Sequence, residues 1–143
     1  MNPIAMKVRE AGVVGAGGAG FPAHIKINAQ AEIVIVNGAE CEPLLKTDQQ
    51  LAARYPEEII RGLSLAMEAT GAQRGIIALK AKYIQGVQNI KPLLRDNMEI
   101  VILPDVYPAG DEVVKSVLPV RVFCSRVILC FFSKVMGLTL GNQ

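Results

Sequence analysis

Tryptophan is absent from this chain, histidine occurs once and cysteine three times, at Cys41, Cys124 and Cys130. Three thiols so far apart form no C-x-x-C pair, which excludes the usual zinc and iron–sulfur ligand sets within one chain and fits a reduced, cytoplasmic setting. Cys41 has no visible partner and reads as a small filler residue. His24, alone, reads as a polar loop residue rather than a general base. Excess charge of one sign is also missing. The 15 basic and 13 acidic residues leave a formal net charge of +2, which argues against a dedicated nucleic-acid binder, because such a protein needs a clustered basic face. A signal peptide is not expected either: "MNPIAMKVREAG" reads as a short helix with Asn2 as cap, Pro3 in the first turn and Gly12 closing it.

Long uncharged apolar runs are scarce as well. Residues 122–140 approach the length of a bilayer span, but Arg126 and Lys134 interrupt them and leave only "VILCFFS" between. Each such charge near a helix centre costs about 2.5–3.5 kcal/mol, against about 0.3–0.6 kcal/mol gained per Leu, Ile, Phe or Val, so insertion is not expected. What this segment offers is β-prone apolar chain with no acidic residue to guard it. Charge is divided unevenly along the sequence: residues 1–112 hold 11 basic and 13 acidic groups, residues 113–143 hold 4 basic and none acidic.

What is present is the alternation of an α/β fold in a chain of 143 residues, enough for one compact domain. "AEIVIVN" (31–37), "RGIIALK" (74–80) and "EIVILP" (99–104) are short, β-branched and nearly continuous in apolar character, as strands buried on both faces require. Between the first two, Pro56 opens a helix with Glu57 and Glu58 in its first turn, and Ile59, Ile60, Leu63, Met67 and Thr70 recur at helical spacing until Gly71. Between the second and third, Ile84, Val87, Ile90 and Leu94 share a helix face that Pro92 interrupts. Strands and helices alternating in this way predict parallel β-α-β units, whose ligands bind at the carboxyl ends of the strands.

Three segments carry chemistry. "GAGGAGFPAHIK" contains G-x-G-x-x-G at Gly15, Gly17 and Gly20, a stretch almost free of side chains whose bare N–H groups suit a phosphate or a ring. A flexible turn is the plainer alternative. "AGVV" is short for the strand that a standard Rossmann fingerprint needs before its first glycine, although Glu40 stands about 20 residues on, where a ribose-binding acid would be. Lys26 would complement an anionic ligand there; by itself it reads as a solvated surface lysine. "NGAECEP" follows the first strand and "YPAGDE" (107–112) the third, so both fall where the carboxyl-end rule points. Asn37 offers donors and an acceptor to an amide-rich ring such as isoalloxazine, and Glu40 and Glu42 could accept from ribose hydroxyls or ring N–H groups; solvated acidic turns are the alternative.

"GVVGAGGAGFPAHIK", "VNGAECEPLLKTDQQL" and "YPAGDE", in that order and spacing, resemble the flavin-domain core of the C subunit of the Rnf electron-transport complex. Similar cores occur in soluble reductases of propanediol utilisation and proline reductase and in the flavin subunit of respiratory complex I. The resemblance implies a Rossmann-like, flavin-binding α/β core with a short and incomplete parallel sheet. It implies FMN contacts from Gly15, Gly17, Gly18, Gly20, Lys26, Asn37, Glu40, Tyr107 and Gly110. It likewise implies nicotinamide-nucleotide contacts from Phe21, by stacking, and from Glu42 and Glu112. In such proteins FMN takes a hydride from NADH and passes electrons towards iron–sulfur carriers, which this chain's cysteines cannot hold. The implied partners are other subunits or domains of an electron-transfer complex, with any membrane association, at the inner face of the plasma membrane, made through them. A non-redox nucleotide-binding module and an inactive gene fragment are the alternatives.

Where complex I has an arginine in the glycine loop and an aspartate in its "NGxE" equivalent, this chain has Ala16 and Ala39, and Ile27, Asn28 and Ala29 replace the aromatic residue after the lysine. Those departures place it nearer the Rnf-type relatives. The expected division is residues 1–115 as the FMN-binding core and 116–143 as an apolar, basic tail outside the resemblance, a truncated or frameshifted end. Cutting after about residue 116 is expected to improve solubility and spare FMN binding.

Overall fold

The computed structural model describes residues 1–15, 20–40, 44–105 and, as backbone only, 127–131. Among these residues four parallel strands form one sheet: β1 (Ile33–Asn37), β2 (Arg74–Lys80), β3 (Met98–Leu103) and β4 (Val127–Phe131), in the order β3-β2-β1-β4. The three strands expected from apolar runs are present to within two residues at each end. The fourth lies in the segment expected to stand outside the core, paired in register with β1 from Ile33 beside Val127 to Asn37 beside Phe131.

Among the described residues five helices accompany the sheet: α1 (Pro3–Glu10), α2 (Ala23–Ile27), α3 (Thr47–Arg54), α4 (Pro56–Thr70) and α5 (Ile84–Ile90). Asn2 caps α1 as its sequence position implies, its Oδ1 accepting from the Ala5 N–H at 2.7 Å. The same side chain donates to the Ala69 carbonyl at 2.9 Å and the Ile27 carbonyl at 3.2 Å, so one asparagine ties together the start of α1 and the ends of α2 and α4. Pro56 and Gly71 bound α4 as expected, Gly71 in the left-handed region at φ +73°. Pro92 stops α5 and falls in a single 3-10 turn, Lys91–Leu93. Helix α3 is not foreseen by periodicity, because Ala52 is its one buried residue.

His24 differs from its expectation: it sits in α2, half-buried, rather than in a loop, because Pro22 sets the entry to a helical turn there. Alternation along the strands divides the core in two. Val34, Val36, Ile77 and Leu79 point to the face on which all five helices contribute, with Ile59, Leu63 and Met67 of α4 at its centre. Gly75 of β2 lets α4 come close, since a Cβ there would meet the Met67 Sδ at 2.6 Å and a Leu63 methyl at 3.0 Å. Ile33, Ile35, Ile76, Ala78 and Leu103 form the second cluster, on the opposite face.

Candidate functional site at the carboxyl edge of the sheet

The strand order runs outward from β1 through β2 to β3 on one side, and the next strand among the described residues, β4, lies on the other. The order therefore reverses at β1. In open parallel sheets such a reversal leaves a crevice at the carboxyl ends of the strands, because the connections depart to opposite sides. Asn37 is the last residue of β1 and Lys80 the last of β2. Asn37 pairs with Ala78, so by alternation Asn37 and Lys80 share one face, one side-chain step apart.

Asn37 is 3 % exposed, and its Oδ1 accepts from the Ala39 N–H at 3.0 Å. The Gly38 N–H donates to the Ala78 carbonyl at 2.9 Å, so the chain leaves β1 along a fixed path. That path delivers Glu40, half-buried, whose Oε2 accepts from the Asp48 N–H at 3.2 Å in the first turn of α3. Burial, with the Glu40 charge added, pushes the Asp48 carboxyl up to about 7. Tyr83, 2 % exposed, lies beside the same pair; burial first, then the Asp48 and Glu40 charges, push its hydroxyl up to about 12. Two lysines converge on Asp105, with Lys82 Nζ at 3.0 Å and Lys80 Nζ at 3.5 Å from its Oδ1. The hydrogen bond from Lys82, with the charge of Lys80 added, holds the Asp105 carboxyl below its ordinary value.

The base of the glycine loop is closed by pairing across it. Val14 and Pro22 form an antiparallel bridge, the Gly15 N–H donates to the Phe21 carbonyl at 3.2 Å, and the Ala23 N–H donates to the Val13 carbonyl at 3.0 Å. "AGVV" thus makes a bridge instead of a strand of the sheet. Gly20 adopts φ +64°, with nothing within 4 Å of where a Cβ would stand. Phe21 is 47 % exposed beside it, and Lys26 is half-buried on α2. Gly17, Gly18, Glu42, Tyr107, Gly110 and Glu112 lie outside the described residues. Of the expected contacts, Asn37 and Glu40 therefore stand at the carboxyl edge, and Gly15, Gly20, Phe21 and Lys26 on the loop base and α2. Asp48, Tyr83, Lys80 and Asp105 also stand at this edge, and no sequence motif marks them. The signal available for Lys80 was a charged residue closing an otherwise apolar buried strand.

Residues 8–117 match the Nuo51 FMN-binding domain family. The chain is 60 % identical over 112 residues to the cobalamin reductase PduS of Salmonella typhimurium, covering 78 % of this chain and 25 % of that one. It is 36 % identical over 117 residues to one of the subunits of the Na(+)-translocating ferredoxin:NAD(+) oxidoreductase complex of Acetobacterium woodii, covering 78 % and 26 %. The chain thus spans about a quarter of the length of these relatives. Among solved structures, an NAD+-reducing [NiFe]-hydrogenase in the H2-reduced state superposes with a TM-score of 0.81 at 22 % identity, over 96 % of this chain and 30 % of that one, a likeness of fold.

The residues present suit a flavin nucleotide. Gly20 leaves open the space a side chain would fill, as close approach of a phosphate to backbone requires. Asn37 and Glu40 bring amide and carboxylate groups to the crevice, matching the donors and acceptors of a flavin ring and ribityl chain. Among the described residues no group of three or more His, Cys, Asp and Glu could hold a metal ion. No described helix is long and apolar enough to cross a membrane.

Proposed function

The chain belongs to the family of Nuo51 FMN-binding domains, and we propose that it is the FMN-holding part of an electron-transfer protein of the NADH:acceptor oxidoreductase type. One observation carries this reading: the segment that ends β1 in Asn37 and continues to Glu40 lies at the point where the strand order reverses, within the matched residues. FMN, when bound, supplies the chemistry of taking a hydride from a reduced nicotinamide and releasing its electrons to one-electron carriers. The chain's own residues bind and orient. Gly17, Gly18 and Gly20 present bare backbone N–H groups to the phosphate, Gly15, whose N–H is held by the Phe21 carbonyl, leaves the loop base clear of a side chain, and Lys26 adds a positive charge. Asn37 and Glu40 fix the ring and ribityl chain, Tyr107 and Gly110 complete the contact, and Phe21 stacks on the nicotinamide, with Glu42 and Glu112 holding its nucleotide.

Support for partners comes from the relatives. The Acetobacterium woodii protein is named as part of a ferredoxin:NAD(+) oxidoreductase complex, and the Salmonella protein as a cobalamin reductase. We therefore assign the onward carriers to other domains or subunits, place the chain in the cytoplasm and leave membrane contact to those partners. Titrating the purified full-length chain with FMN and, separately, with AMP tests the reading. Saturable quenching of FMN fluorescence, weakened by roughly 1.5–3 kcal/mol in Lys26→Ala, is expected, the range of a charge-assisted hydrogen bond. Binding of AMP without FMN would mark a non-redox nucleotide module, and binding of neither an inactive fragment.

A further inference from the structure

Lys80 has no part in the flavin contacts proposed above, yet it is 7 % exposed, whereas lysines are almost never so buried unless paired. Its partner among the described residues is Asp105, and that pairing is poor. The 3.5 Å separation exceeds the 2.7–2.9 Å or so of a charge-assisted hydrogen bond, Asp105 is itself substantially exposed, and Lys82 occupies the same carboxylate oxygen at 3.0 Å. A buried ammonium with three donors and half a share of one carboxylate is costly to maintain. Its place gives it a use. Lys80 ends β2 on the face that Asn37 occupies at the end of β1, one side-chain step beyond Asn37's neighbour Ala78, beside the crevice at the strand-order reversal.

Resting on the FMN reading above, we infer that Lys80 is a further residue of the flavin site, a cationic contact for the ring that favours its reduced form. A flavin ring that takes up two electrons and one proton, at N5, keeps one negative charge, spread over N1 and the adjoining carbonyl. The oxidised ring carries none. A fixed ammonium at the end of β2, on the strand next to Asn37, therefore binds the reduced form more tightly than the oxidised one and raises the midpoint potential. Asp105 opposes it by drawing part of the lysine's charge away from the ring.

The test uses the full chain with FMN and with riboflavin, and reads affinity by fluorescence quenching and midpoint potential by dithionite titration against a reference dye. In Lys80→Gln, affinity for the reduced form should fall about tenfold more than for the oxidised form, which lowers the midpoint by about 30 mV. Lys80→Arg, which keeps the charge, should stay near the wild-type potential, and Asp105→Asn should move it upward. Asp105 lies on the surface, so that variant keeps the inference testable should Lys80→Gln not fold. An unchanged midpoint in Asp105→Asn and Lys80→Gln would overturn the inference and leave the FMN site standing. So would a loss confined to FMN over riboflavin, which would move Lys80 to the phosphate. Failure of the wild type to bind FMN would overturn the proposed function itself, and this inference with it.

Discussion

Asp48 carries the clearest consequence at the scale of single residues. Its carboxyl is pushed up to about 7 from an ordinary 3.8, so between those values the folded chain holds a proton that the unfolded chain has lost. Its contribution is therefore fully present below pH 3.8, declines as pH rises towards 7 and is gone above. Asp48→Asn should match the wild type in urea denaturation near pH 4 and exceed it at pH 8 by roughly 1–2 kcal/mol, a figure reduced for partial solvent screening. A gap of equal size at both pH values would mean that burial beside Glu40 does not govern this group. The sequence put Asn37 at the end of a strand and Glu40 just beyond it, since a β-branched run stopped at Asn-Gly. It could not reveal Asp48 or Tyr83 as neighbours of Glu40, because their meeting depends on α3 folding back against the start of α5. Burial of Lys80 was hidden for the same reason: a terminal lysine on a strand looks solvated until the sheet face beyond it is known.

Among the elements, β1, β2 and β3 were legible as nearly continuous apolar runs and α4 by its helical period, with Pro56 and Gly71 marking its ends. Helix α3 was not, since "TDQQLAAR" buries only Ala52 and is held by its packing on α5. That packing is close. A Cβ on Gly86 would stand 2.6 Å from the Ala52 Cβ and 3.4 Å from its carbonyl carbon, and neither is the end of a flexible side chain. Alanine usually gains about 1 kcal/mol over glycine in a helix, whereas overpacking costs about 1–3 kcal/mol. Gly86→Ala should therefore fail to stabilise the chain and lower its denaturation midpoint. An increase would show that α3 and α5 can separate without cost. Strand β4 was legible only in part: composition marked its segment as β-prone, but nothing local to it specified β1 as its neighbour, because parallel pairing is set by distant chain.

For the whole molecule, the pairing of β4 with β1 bears on where the domain ends. The family match stops at residue 117, yet a strand ten residues further on completes the strand-order reversal on which the site depends. A chain ended after residue 116 loses that strand and bares the edge of β1, so its melting temperature should fall by roughly 5 °C or more. An unchanged or higher value, with better solubility, would show that 116–143 is dispensable, as its composition alone suggests. Fold class was readable from alternation, and the family from three ordered motifs. The reversal was not, since it is a property of strand order. Whether FMN occupies the crevice at that reversal is read by hydrogen–deuterium exchange of the full chain with and without FMN. FMN should slow exchange at residues 37–40 and 80–82 and leave the opposite end of the sheet, around 71–73 and 95–98, unchanged. Slowing confined to that opposite end, or no slowing under saturating FMN, would contradict occupancy of the crevice.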